Sequence, residues 1–160
     1  EVIWTNHRNY AQYQTNMDRI PGMELLRLTA DQCGNAQYVV AHVIESEFGI
    51  SRNELLSVLR AEGIFARSYF EPGCQNAAPY VDQKMHELTT LSVTDHVLSE
   101  VIQSPTGTGV DVDAINLVTD LIAFAQRNSA ETISCRKAWN SQLVSHPNDP
   151  VVRSSMPDAA

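Results

Sequence analysis

The segment Ser51-Arg52-Asn53-Glu54 constrains the fold more than any other stretch of this chain. A Ser-x-x-Glu box satisfies two free amides at a helix start: the serine hydroxyl accepts from one and the glutamate carboxylate from the other. Leu55, Leu56, Val58 and Leu59 follow as the buried face, and Gly63 suits the helix end. This helix lies between two runs of strand character. Tyr38-Val39-Val40-Ala41-His42-Val43-Ile44 is β-branched and aromatic, and Ile64 to Phe70 reads as a second strand.

The rest of the chain adds helices. Tyr10, Tyr13, Met17 and Ile20 fall at helical spacing, and Pro21-Gly22 stops that helix. Its start, Glu1-Val2-Ile3-Trp4, carries no recognisable cap and reads as helix interior, as if cut from something longer. Thr94 can cap a helix carrying Val97, Leu98, Val101 and Ile102. Pro105 to Gly109 is a turn. Asp111 or Asp113 caps a last helix, with Ile115, Val118, Ile122 and Ala125 as its apolar stripe. Beyond Asn128 the pattern fades, and Ser145 to Ala160 reads as a mobile tail. The order helix, strand, helix, strand, helix, helix predicts an α/β (α+β) domain, a short sheet covered by helices.

Charge and cysteine content narrow the function classes. Eleven basic and 19 acidic residues leave a formal charge of −8. Such a chain offers no electrostatic footprint for nucleic acid or an anionic membrane. No apolar run approaches the roughly 20 residues that span a bilayer, and no signal peptide is visible. Cys33, Cys74 and Cys135 are widely spaced and odd in number. They argue against a disulfide framework or a zinc site and fit a cytoplasmic protein.

Few residues carry chemistry on their own. Arg67 is a permanent cation in an otherwise apolar strand, suited to phosphate or carboxylate. Tyr69 and Tyr80 can offer hydroxyls or flat faces to a sugar or base. Against this, an edge-strand arginine is commonly a surface charge, and tyrosines commonly belong to the core. His7, His42, His86, His96 and His146 are scattered, and no pair has metal-ligand spacing, so they are read as structural or solvated. Gly107-Thr108-Gly109 lacks the rest of a phosphate loop. Cys74 is read as an inert loop cysteine. Lys84 and Lys137, the only lysines, lie in no apolar setting that would lower their pKa.

Several stretches, taken in order, are similar to the small domain of the DegT/DnrJ/EryC1/StrS aminotransferases. They are Asn9-Tyr10-Ala11-Gln12-Tyr13 with Ile20-Pro21-Gly22, Asn35 to Val40, Gly49 to Leu55, and Leu59 to Phe70. Pro72-Gly73-Cys74 with Pro79-Tyr80, and Leu91 to Asp95 leading to Ser104-Pro105-Thr106-Gly107, complete the series. The likeness covers roughly residues 6–127. Gln75 stands where the family usually has a histidine bordering the substrate pocket. Leu91-Ser92 replaces a usual Leu-Pro, and Ser104 replaces a leucine.

The resemblance implies the small C-terminal domain of a fold-type I enzyme that uses pyridoxal phosphate (PLP). The parent moves an amino group from glutamate or glutamine to a keto-sugar nucleotide and is expected to be a homodimer. It implies a linking helix over 1–22, the small domain over 23–128 and an extension over 129–160. Arg67, Tyr69, Gln75 and Tyr80 are then expected at the rim of the substrate cleft, on a loop edge facing an N-terminal large domain that this chain lacks. That missing domain carries the PLP lysine, so this chain has no catalytic or cofactor-binding residue of its own and is not expected to transaminate alone. Apart from its partner domain, it is expected to bare an apolar patch, with Tyr10, Tyr13 and Met17 as contributors. A family dehydratase and a free-standing binding or regulatory module remain the alternatives.

Overall fold

The computed structural model describes residues 1–29, 38–69, 71–78 and 91–135. The elements in chain order are α1 (Val2–Met17), β1 (Met23–Leu25), β2 (Val39–Val43), α2 (Glu45–Phe48), α3 (Arg52–Ala61) and β3 (Arg67–Ser68). A 3₁₀ turn at Cys74–Asn76, α4 (Ser92–Glu100), β4 (Val101–Ser104) and α5 (Val112–Arg127) follow. Residues 129–135 are again helical. The strands make one antiparallel sheet in the order β1-β2-β4-β3. This is the expected short sheet covered by helices.

The helix signals act as their chemistry requires. Ser51 and Glu54 form the reciprocal capping box at the start of α3. At its other end the amide of Ile64 bonds the carbonyl of Leu59 at 2.8 Å, and that of Gly63 the carbonyl of Arg60 at 3.0 Å. This pairing is a Schellman cap, with Gly63 in the left-handed conformation at φ +74°. Of the two candidate aspartates, Asp111 caps α5, accepting from the Ala114 amide at 2.8 Å. Ile115, Val118, Ile122 and Ala125 are all buried.

The sheet has two unlike faces. Val39, Ala41 and Val43 of β2, with Ile102 of β4, join a core built with Tyr13 and Met17 of α1, Leu55 and Leu59 of α3, and Ile122 of α5. The other face follows from the register. Directly paired antiparallel residues point the same way. Glu24, His42 and Val101 therefore make one row across the outer face, and Val40, Gln103 and Arg67 the next. Helix α4 packs on this outer face against β2.

Four expectations need correction. Val101 and Ile102 are not helical: α4 ends at Glu100 and β4 begins at the next residue. Both are β-branched, and β4 gains ladder bonds on both sides, from β2 and β3. Thr94 caps nothing, because α4 starts at Ser92 with Leu91 in the cap position and no side-chain cap bond. The strand expected over Ile64 to Phe70 is paired only at Arg67–Ser68, and Phe70 lies outside the described residues. Tyr13 and Met17 are fully buried, so they bare no patch. The large apolar residues that α1 does expose are Val2, Ile3 and Trp4, at 57, 63 and 68%.

Beyond α5, Ile133 is half-buried against the core. The segment read as a mobile tail, from Ser145, lies outside the described residues.

Candidate substrate cleft

Helix α1 organises the approaches to the outer face. The Tyr10 hydroxyl donates to the Leu26 carbonyl at 2.8 Å and accepts from the Leu28 amide at 3.2 Å, holding the chain as it leaves β1. The buried Asn9 amide donates to the carbonyls of Gly107 and Val110, both at 3.1 Å. The Tyr13 hydroxyl donates to the Pro105 carbonyl at 2.8 Å. The Asn-Tyr-x-x-Tyr stretch and the Pro-Thr-Gly turn, nearly a hundred positions apart, are thus one hydrogen-bonded unit. Burial pushes the Tyr13 phenol well above its ordinary value of 10.0.

On the outer face a cleft of about 410 Å³ opens between the β1 exit and α4. Leu25, Leu26, Val40, His42, Tyr69 and Val97 are among its lining residues. Tyr69 is half-buried there. Arg67 is exposed on the same face, in register with Gln103. Gln75 lies apart from them on the 3₁₀ turn, where its amide donates to Asp95 Oδ1 of α4 at 2.9 Å. Tyr80 falls outside the described residues. Of the four residues expected at the rim, the register therefore brings Arg67 and Tyr69 onto one face, and Gln75 is tied to α4.

Two features escaped the sequence reading. Arg52, 3% exposed, donates from Nη1 to the Val101 carbonyl at 3.2 Å and pairs through Nη2 with Glu71 at 3.2 Å. Burial holds its guanidinium below the usual arginine range, opposed by the nearby Glu71 charge. It links the start of α3, the start of β4 and the loop after β3. The second feature is a meeting of His42, His96 and Glu100. The sequence signals for it were His96 and Glu100 at i,i+4 on one helix, and the alternation in β2 that turns His42 away from the core.

PLP needs a lysine amine for its covalent link and cations or amides for its phosphate. The described residues contain no lysine, since Lys84 and Lys137 both lie outside them. Arg27, at the cleft, is paired with Asp18 at 2.9 Å. The described residues do not fit this cofactor. Cys74 and Cys135 are free and exposed. No helix among the described residues is long and apolar enough to cross a membrane.

The chain is similar to proteins of one kind. It is 24% identical over 110 residues to dTDP-4-amino-4,6-dideoxy-D-glucose transaminase of Shigella dysenteriae, covering 69% of this chain and 29% of that protein. The structure of DesI in the presence of its TDP-sugar product matches with a TM-score of 0.75 and 34% identity, over 86% of this chain and 34% of that one. PseC of Helicobacter pylori, an aminotransferase of pseudoaminic acid biosynthesis, shares the fold at a TM-score of 0.67 and 14% identity, over 79% and 33%. The chain thus spans about a third of the length of the relatives it matches. The family model of the DegT/DnrJ/EryC1/StrS aminotransferases matches residues 1–123. The chain belongs to the DegT/DnrJ/EryC1/StrS aminotransferase family.

Proposed function

We propose that this chain is the small C-terminal domain of a cytoplasmic, homodimeric, PLP-dependent aminotransferase acting on a nucleotide sugar. The parent would move an amino group from glutamate or glutamine to a keto-sugar. The observation that carries the reading is the match to DesI, at 34% identity over most of this chain but only 34% of the other. The PLP lysine and its phosphate cradle belong to the remaining part of the parent, so this chain alone does not transaminate.

Within that reading, the outer face of the sheet is the small domain's contribution to the substrate cleft. Arg67 supplies a fixed cation for the sugar-nucleotide diphosphate, because a guanidinium fork matches phosphate oxygens. Tyr69 offers a ring and hydroxyl beside the apolar wall of Leu26, Val40 and Val97. The family resemblance adds Tyr80 to this rim, and Gln75 acts from the turn beside α4. The wall excludes water and orients the substrate. The Gln75–Asp95 bond sets the position of the Pro72-Gly73-Cys74 turn relative to α4.

The test compares the isolated chain with the full parent enzyme. The chain alone, given PLP, glutamate and a TDP-keto-sugar, should yield no amino sugar, and borohydride should fix no stoichiometric label on Lys84 or Lys137. In the parent, Arg67→Ala should raise the sugar-nucleotide KM by roughly 10- to 100-fold, the worth of one charge-assisted bond of about 1.5–3 kcal/mol. Turnover by the chain alone would overturn the domain reading. Unchanged kinetics in the variant would remove Arg67 from the cleft.

A further inference from the structure

His42 is the next-to-last residue of β2, and its partner across the ladder is Val101, the first residue of β4. Because α4 runs into β4 without a loop, Glu100 is carried to the edge of that pair. His96 lies one turn earlier on α4. We propose that His42, His96 and Glu100 form a zinc site that fastens α4 to the outer face of the sheet.

The donor set and its geometry carry the assignment. The three ligand atoms lie within 4.8 Å of one another. His96 Nε2 is 3.4 Å from Glu100 Oε2, and His42 Nε2 contacts the same oxygen. A tetrahedral zinc with bonds of about 2.0–2.1 Å holds its ligands about 3.3–3.4 Å apart. The His96–Glu100 pair already has that spacing, and the closer His42–Glu100 contact has only to open around the ion. The two imidazole rings stand at 88° with centroids 6.1 Å apart, so they approach from different directions rather than stacking. Two imidazoles and one carboxylate suit zinc, whereas magnesium and calcium prefer oxygen throughout. His96 is 64% exposed on its side chain, which gives the ion a way in and leaves a fourth position for water.

The architecture supplies a reason for such a clamp. Helix α4 buries no residue, and its Val93 and Val97 are 75 and 46% exposed. It has little apolar anchorage of its own. An ion joining His42 of the sheet to His96 and Glu100 of the helix would cross-link two elements that meet over a sequence separation of 58 residues. It would also steady Asp95, and through it Gln75 and the turn at Cys74–Asn76.

The test is titration of the metal-stripped 160-residue chain with zinc chloride by calorimetry, with cobalt(II) as a spectroscopic substitute. The expected result is one zinc per chain, a rise in Tm on binding, and visible cobalt absorption of a four-coordinate site. His96→Ala removes an exposed ligand, and Glu100→Gln keeps the side-chain shape. Each should weaken zinc binding about tenfold or more, with an unchanged circular dichroism spectrum, and abolish the Tm rise. His7→Ala should bind as the original does. Absence of stoichiometric zinc in the unaltered chain would overturn the proposal. So would equal affinity in the His96 and Glu100 variants.

Discussion

Gly22 and Gly63 share the same backbone angle, φ +74°, but not the same surroundings, and the pair separates two costs. A β carbon added at Gly63 meets nothing within 4 Å. One added at Gly22 would lie 2.3 Å from the Phe48 backbone nitrogen and 2.8 Å from its α carbon. Gly22 also accepts from the Ile44 amide at 2.8 Å, and Phe48 is fully buried, so neither partner can easily retreat. Gly63→Ala should therefore cost only the left-handed backbone, about 1–2 kcal/mol, partly offset by a stiffer unfolded chain. A net loss of about 1 kcal/mol lowers Tm by about 2–4 °C in a chain of this size. Gly22→Ala adds crowding against backbone, at the upper end of about 1–3 kcal/mol. Its total of about 3–4 kcal/mol corresponds to roughly 6–16 °C. Calorimetric melting of the two variants beside the parent chain measures the difference. Equal losses would show that the turn after α1 is not seated on Phe48, and the packing argument would fail.

Other perturbations follow from the same contacts. Asn9→Ala leaves two carbonyls, those of Gly107 and Val110, without their buried donor. It should cost about 2–4 kcal/mol in urea unfolding, and Asn9→Asp should not rescue it, because a carboxylate cannot donate. Tyr13 is neutral in the folded chain at pH values where its unfolded counterpart ionises. Its raised pKa therefore stabilises the fold fully below pH 10.0, and that contribution is lost as pH rises above it. Tyr13→Phe should flatten this alkaline decline in urea midpoints while lowering stability near neutrality by about 0.5–1.5 kcal/mol. Ser51→Ala removes the α3 cap and should cost about 0.5–2 kcal/mol, visible as a lower thermal midpoint.

Legibility in the sequence divides along local and distant interactions. The α3 cap, the α5 stripe and the β-branched content of β2 depend on neighbours within a few residues, and all three were readable. Val101 and Ile102 were not, because Val97, Leu98, Val101 and Ile102 satisfy a helical period as well as any strand pattern. Only pairing with β2 and β3 decides between them. At three residues, β1 is too short to show a period. The same limit explains the candidate site. Arg67 and Tyr69 stood out as polar groups in an apolar run. The half-site on α4 is a plain i,i+4 pair, but nothing near His42 announces that β2 and β4 lie side by side.

Among the described residues, the sheet ends on two very short strands, β1 with three residues and β3 with two. A lateral strand offers unpaired amides and carbonyls to any extended chain that drifts past, and long flat ones seed aggregates. Here each border is brief and carries one exposed charge, Glu24 on β1 and Arg67 on β3. The opposite signs do not make the borders mutually repellent, so brevity is the main safeguard, and the charges add the cost of desolvation to any intruding strand. A variant with valine in place of Arg67 would tend to precipitate during refolding well before it lost any native stability.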